Sequence, residues 1–441
     1  MVLPRVVILG GGLAGVATAY YLERTGIRNI TIVEKDSRIG GLLKTEARNG
    51  YTFDIGGSHI IFSKDKSTLQ EMLSFLGENY VRNRRNTKIY YRGRFVKYPF
   101  ENGLRDLPRT TAIKMAIDFT LNSLHTAVNK SNFKRWIYTT FGKEIANAYL
   151  IPYNEKVWKR PLEDISTEWV SRIPRPKVRD IWASALGLNT EGYTHQLNFY
   201  YPKIGGIESL VRGIANHLKN TKILTNSEAK RIERTDGKWK IECDKSKINA
   251  DIIISTLPLP ELIKILDAPT EITTLTKKLE YNGVITIGFG VDAKIPNYSW
   301  LYIPDREWYT NRMSFPSNFS PVAAPQGKSS VLTEITFKPG KDPNLQDAIE
   351  NTTDAIQTIL NIPREKIQPL IHAKFKYAYI VPTRASRKAL PKILEYIHST
   401  GIITTGRFGT WSYDNMDTIF RKAQESTHRV RVLANSELQK V

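Results

Sequence analysis

Val6 to Leu9 is four apolar residues in a row, the pattern of a parallel strand buried on both faces. A glycine turn follows. Residues 14–23 then carry the small and apolar side chains of a helix packed close to a sheet, and Ile30 to Val33 repeats the strand pattern. From 106 to 141 the period changes to mixed three and four spacing, with Ile113, Met115, Ala116, Phe119, Leu121, Leu124 and Val128 predicting helix. Helical character resumes at 142–148 and breaks at Pro152, after which Pro161, Pro174 and Pro176 mark a loop-rich stretch. A strand is expected at 197–201, then a turn at Gly205 and Gly206 into a helix over 207–218. Short strands with a turn at Asp236 and Gly237 fill 222–242, and a buried strand covers 251–255. Alternation at 284–291, 300–303, 330–337 and 372–380 predicts an antiparallel sheet, with a helix over 346–360 between two of its strands. A last strand at 402–407 and a closing helix over 417–436 complete the pattern.

The turn after the first strand places Gly10, Gly12 and Gly15, with Leu13 and Ala14, in the order GxGxxG. Gly10 permits the tight turn, Gly12 lets the backbone approach a pyrophosphate, and Gly15 lets helix and strand touch. Glu34, followed by Lys35, ends the second strand about twenty residues on, where a carboxylate accepts the hydroxyls of an adenosine ribose. Strand, glycine turn, helix, strand and terminal acid in register are a dinucleotide signal. Arg38, Gly40, Gly41 and Leu42 come next, then Asp54, Gly56, Gly57, Ser58 and His59. This second glycine pair and its following loop resemble those of FAD enzymes in the amine oxidase and UDP-galactopyranose mutase superfamily. FAD is therefore the expected cofactor, and the fold class expected is α/β: a Rossmann-type FAD-binding domain with a helical insertion and an antiparallel β-sheet substrate domain. The divisions expected are 1–80, 197–265 and 395–441 for the FAD domain, 103–190 for the insertion, and 81–102 with 266–394 for the substrate domain.

Composition narrows this picture. The 441 residues, 41% of them hydrophobic, suit a globular chain of two or three units. Cys243, the single cysteine, can form no internal disulfide, which fits a reducing cytoplasm. The net charge of +21 favours anions, and nucleic acid, an acidic membrane surface, a phosphorylated cofactor and a phosphorylated substrate all match that sign. Residues 6–22 are apolar enough to imitate a signal peptide or a span, but they are too short and glycine-rich, so no integral membrane segment is expected. The stretch 80–98 interleaves seven basic residues with Tyr90, Tyr91 and Phe95. It fits a half-exposed hairpin turning at Arg92 and Gly93 better than a nucleic-acid strip, since no recognition motif accompanies it. The histidines besides His59 show no metal-like spacing, and no metal is expected.

Four further segments resemble UDP-galactopyranose mutases, closest to the eukaryotic branch. They are Tyr98-Pro99-Phe100-Glu101-Asn102; Pro152-Tyr153-Asn154-Glu155-Lys156-Val157-Trp158; Trp300-Leu301-Tyr302-Ile303-Pro304 with Arg312 in step behind; and Gly406-Arg407-Phe408-Gly409-Thr410-Trp411-Ser412-Tyr413 with Asn415 and Met416. The resemblance implies a nucleotide-sugar substrate and a reaction in which reduced FAD attacks the anomeric carbon, contracting the sugar ring with no net redox. It assigns catalysis to His59, Arg172 and Arg312. Substrate binding falls to Tyr98, Phe100, Glu101, Asn154, Trp158, Arg172, Gln196, Tyr302, Arg312, Tyr379 and Tyr413. The cofactor would be held by Gly10, Gly12, Leu13, Ala14, Gly15, Glu34, Lys35, Gly40, Gly41, Leu42, Gly57, Ser58, His59, Arg407, Asn415 and Met416. Arginines and tyrosine hydroxyls suit a diphosphate because charge-assisted hydrogen bonds are strong and directional.

Three positions depart from the family. Glu101 replaces a glutamine, Ser58 intervenes before His59, and Gln196 replaces an asparagine. A reductant, NAD(P)H or a redox protein, is a further implied partner, and a homo-oligomer is left open. The alternative within flavin chemistry is an oxidoreductase similar to protoporphyrinogen or amine oxidases, and a noncatalytic basic binding protein is the third reading.

Overall fold

The computed structural model describes residues 4–125, 127–173, 175–192 and 197–438. A five-stranded parallel sheet carries, in spatial order, Ile403–Thr404, Ile252–Ser255, Val6–Leu9, Ile30–Val33 and Thr221–Leu224. Its central strands Val6–Leu9 and Ile252–Ser255 are buried along their whole length because both faces are covered. Val6, Ile8, Ile30, Ile32, Ile252 and Ile254 join a core with the helices Leu13–Arg24, Glu208–Ala215 and Met416–Leu438. The alternate residues Val7, Leu9, Val33 and Ile253 join a second core with the helix Arg384–Ser399 and the three-stranded sheet of residues 229–250.

The helical stretch folds as Arg109–His125 and Phe133–Ile145, followed by Ile151–Trp158 and Val178–Ala185. Phe119, Trp136, Ile137, Phe141 and Tyr149 form its core, into which Phe100 and Leu104 also pack.

The largest sheet has seven strands in the order Ile367–Ile380, Tyr281–Val291, Ser329–Phe337, Arg312–Ser314, Trp300–Tyr302, Thr87–Tyr91 and Arg94–Lys97. The sequence predicts an antiparallel sheet, and one pairing differs: Trp300–Tyr302 runs parallel to Thr87–Ile89. A hairpin donated from some two hundred residues upstream adds to the sheet edge, so no local turn constrains its direction. The helix Leu345–Leu360 covers one face of this sheet with Ala348, Ala355 and Ile356.

Candidate active site

A cavity of about 960 Å³ runs from the carboxyl edge of the parallel sheet to the seven-stranded sheet. That is the size of a pocket for a large organic ligand, at the place where open α/β sheets bind dinucleotides. Because Leu9 is in register with both Val33 and Ser255, Gly10, Glu34 and Thr256 emerge together at one edge.

The cavity's first half is backbone. Gly10 sits at φ +101°, a left-handed conformation costly for other residues, and its N–H donates to Val33 O. A Cβ on Gly15 would lie 2.0 Å from Gly10 O, so only glycine lets the helix begin beneath the turn. Gly12 behaves differently: its Cβ position meets only Gly41 Cα at 3.9 Å, and it bridges to Gly40. The helix Leu13–Arg24 has no side-chain N-cap, which leaves its first N–H groups to an anion in the cavity. Glu34 is buried, with Oε2 accepting from Gly11 N at 2.7 Å and Oε1 from Asp36 N at 2.9 Å. Leu13, Ala14, Lys35, Gly40, Gly41, Leu42, Asn415 and Met416 line the same half. Arg407 Cζ sits over the Tyr413 ring, 4.3 Å from its centroid, and Nη2 donates to Ala378 O, while its buried Nε has no hydrogen-bond partner among the described residues.

The second half is side chains. Ser58, His59, Arg85, Trp300, Tyr302 and Arg312 line it. Arg312 pairs directly across the strands with Glu334, whose Oε1 accepts from Arg312 Nε at 2.9 Å, from Nη2 at 2.5 Å and from Ser58 N at 3.1 Å. The other oxygen, Oε2, accepts from the Tyr379 hydroxyl at 2.9 Å. One buried carboxylate thus fixes a guanidinium, a tyrosine and the loop after Gly57. Burial raises the pKa of Tyr379 well above its ordinary value, with the Glu334 charge adding to the rise; for Arg312 burial works downward, and the charge of Glu334 with the nearby tyrosines outweighs it and holds the pKa well above its ordinary value. Ser58 Oγ accepts from Trp300 Nε1 at 3.0 Å. His59 Nδ1 lies 2.8 Å from Gly57 O, so the proton sits on Nδ1 and Nε2 is an acceptor. Burial pushes its pKa down to about 4 and keeps the ring neutral.

Glu334 and Arg85 are additions to the residues named from sequence. Arg85 stacks between the rings of Tyr98 and Trp300, at 5.3 and 5.1 Å, and its Nε donates to Thr87 Oγ1. The signal for Glu334 was a lone charge within a nine-residue strand that is buried throughout.

Other named residues stand behind the cavity wall. Tyr98 and Tyr153 pack on Tyr302, with ring centroids 5.1 and 5.3 Å away. Asn154 Oδ1 accepts from Trp158 Nε1, and Trp158 meets Tyr413 edge-on. Lys156 Nζ donates to Ile303 O and Asp305 O, tying this motif to the strand end that carries Tyr302. Phe100 and Glu101 are not on the cavity. Phe100 is fully buried between Tyr91 and Tyr149, because the chain after Pro99 turns inward against the helical core. Glu101 is buried beside it, and burial pushes its pKa up to about 7. The side chain of Arg172 and all of Gln196 lie outside the described residues.

An anion-ready helix start, a ribose-type carboxylate and a glycine-walled cavity with an unpartnered guanidinium nitrogen fit a flavin dinucleotide, and they define the class as a flavoprotein. Comparison with known proteins agrees: residues 13–377 match the flavin containing amine oxidoreductase family, and the chain belongs to it. Coproporphyrinogen III oxidase of Bacillus subtilis is 22% identical over 404 residues, covering 83% of each chain. A crystal structure of reduced UDP-galactopyranose mutase superposes with a TM-score of 0.90 at 26% identity, covering 98% of this chain and 96% of the other. A putative protoporphyrinogen oxidase from Exiguobacterium shares the fold, with a TM-score of 0.78 at 18% identity over 98% of this chain and 99% of its own.

Proposed function

We propose that the protein is a flavin-dependent mutase that interconverts the ring forms of a nucleotide sugar, as UDP-galactopyranose mutase does. The observation that carries this reading is Arg312 at the far end of the cavity, held from behind by Glu334, which Tyr379 also contacts. An amine gives no use for a guanidinium held this firmly, whereas a diphosphate leaving group does; the carboxylates of a porphyrinogen are also anions, and the test below separates the two.

FAD would be held by the glycine turn, the open helix start, Glu34, Lys35, Leu42, Arg407, Asn415 and Met416, and in its reduced form it supplies the nucleophile for the anomeric carbon. Arg312 presents its remaining N–H groups to the diphosphate and stabilises the charge that develops as the sugar departs. Tyr302, wedged between Tyr98 and Tyr153, offers a hydroxyl beside it. Neutral His59 stays an acceptor at Nε2 across the physiological range, so it orients a hydroxyl or ring N–H without adding charge. No side-chain nucleophile is required.

The test is anaerobic incubation of UDP-galactopyranose and of UDP-galactofuranose with dithionite-reduced and with oxidised protein, followed by chromatography of the isomers. Interconversion by the reduced form alone supports the proposal. The match to coproporphyrinogen III oxidase over most of both chains favours a second reading, a flavin-dependent oxidoreductase. Aerobic oxidation of coproporphyrinogen III, with neither sugar isomer converted, would establish it instead.

A further inference from the structure

Lys422 reaches from the helix Met416–Leu438 back to the loop just before it. Its Nζ donates to Thr410 Oγ1 at 3.0 Å, to Ser412 Oγ at 2.7 Å and to Asp414 Oδ2 at 2.6 Å. An ammonium carries three protons, and here each has an acceptor. The Asp414 side chain is 6% exposed and that of Lys422 26%, so the pair is shielded from most of the solvent.

The loop it holds is strained. Trp411 stands at φ +49°, in the left-handed region that is costly for a bulky residue and persists only where its surroundings over-determine it. Thr410 and Ser412, on either side of Trp411, are two of the three acceptors. Tyr413 follows, and the Arg407 guanidinium sits over its ring with Nη1 donating to Asp414 O at 3.5 Å. Lys422 therefore ties down the strained turn and, through it, the arginine whose buried Nε has no partner among the described residues.

Asp414 supplies the reason for a cation. It lines the cavity beside Asn415 and Met416. Lys422 and the Ser412 hydroxyl both donate to Oδ2, leaving Oδ1 without a partner among the described residues. A bare carboxylate on the wall of a cavity that receives a diphosphate repels its ligand. Paired with Lys422, the same carboxylate is neutralised, and Oδ1 can still accept from a hydroxyl or a ring N–H.

We propose that Lys422 is a positioning residue for the flavin. It neutralises Asp414, whose Oδ1 accepts from a hydroxyl or ring N–H of the cofactor, and it fixes the turn at Trp411 so that Arg407 keeps its place over Tyr413. The inference rests on the flavoprotein class and not on the mutase reading, because flavin retention reads it whichever substrate is turned over.

The experiment measures FAD released on dilution of the flavin-loaded full chain, by its recovered fluorescence, beside circular dichroism melts. Lys422→Met is expected to loosen FAD about tenfold or more, because it leaves the Asp414 charge unpaired. Adding Asp414→Asn to that variant should recover most of the loss, since the repulsion goes with the charge while an acceptor oxygen remains. Lys422→Gln keeps an N–H₂ donor for the loop but no charge, and the same loss and recovery are expected of it, so a methionine variant that fails to fold still leaves a reading. FAD held within about threefold of wild type by either uncharged variant overturns the proposal. So does a loss that Asp414→Asn fails to restore, which would reduce Lys422 to a prop of the loop.

Discussion

Replacing Glu334 by glutamine keeps the shape of the clamp and removes its charge. In the native site, Oε1 accepts three bonds, two from Arg312 and one from Ser58 N, and Oε2 accepts one from Tyr379. Losing the carboxylate charge turns the two Arg312 bonds from ion-pair into singly charged ones and the Ser58 bond into a neutral one, so each retained bond loses about 1 kcal/mol. The new amide N–H₂ can only donate, so the Tyr379 hydroxyl must turn its proton elsewhere and accept instead, and its bond to a carboxylate is lost. The sum is about 3–4 kcal/mol, but the Arg312 side chain is 22% exposed to the cavity and water screens part of it, leaving about 2 kcal/mol. Turnover of UDP-galactofuranose under anaerobic, dithionite-reduced conditions should therefore fall about 30-fold in kcat/KM. Urea unfolding should show a comparable loss of stability. Activity within about threefold of wild type together with an unchanged unfolding midpoint would refute the claim that Glu334 organises the clamp.

Gly12→Val should fold but lose its yellow colour, because the backbone there has an ordinary φ of −74° and the new side chain points into the cavity; absorbance at the flavin band against circular dichroism checks it. Gly15→Ala should instead lower thermal stability, since its Cβ would strike Gly10 O. Arg312→Ala should abolish nucleotide-sugar binding while leaving the protein flavin-loaded, and calorimetric titration showing a tight diphosphate-sugar complex would sink the clamp assignment. Glu101, raised from an ordinary 4.5 to about 7 by burial, favours the folded state when protonated. Its contribution is complete below the unfolded value and is lost as pH rises through about 7, by about 3 kcal/mol in all. Glu101→Gln should remove that slope and be the more stable form at pH 8 in urea titrations, and equal stability at both ends of the range would count against it.

The half of the site made by backbone was legible in the chain because its cause is local. Gly10, Gly12, Gly15 and Glu34 belong to one strand, turn, helix and strand, and each glycine answers a contact within that unit. The half made by side chains was legible only where the resemblance supplied it, as for Arg312, Tyr302 and Tyr379. Glu334 was hidden because its meaning arises from cross-strand register, twenty-two residues away from its partner. Arg85 was read as one cation in a basic hairpin, and its place between Tyr98 and Trp300 depends on a parallel pairing that no turn announces. Phe100 and Glu101 show the converse: the motif around them was visible, but the inward turn after Pro99 set which of its side chains reach the cavity.

The order of strands in the parallel sheet has a consequence for how the protein is made. Its edge strand Ile403–Thr404, the helix Met416–Leu438 that packs on Leu13–Arg24, and the cavity residues Arg407, Asn415 and Met416 all come from the last forty residues, while the glycine turn they complete comes from the first fifteen. A chain under synthesis therefore carries half a cofactor seat and holds it open until the residues from 403 onward have emerged. Flavin capture waits for the segment that carries Arg407, Asn415 and Met416, and a chain cut before residue 403 is expected to be colourless.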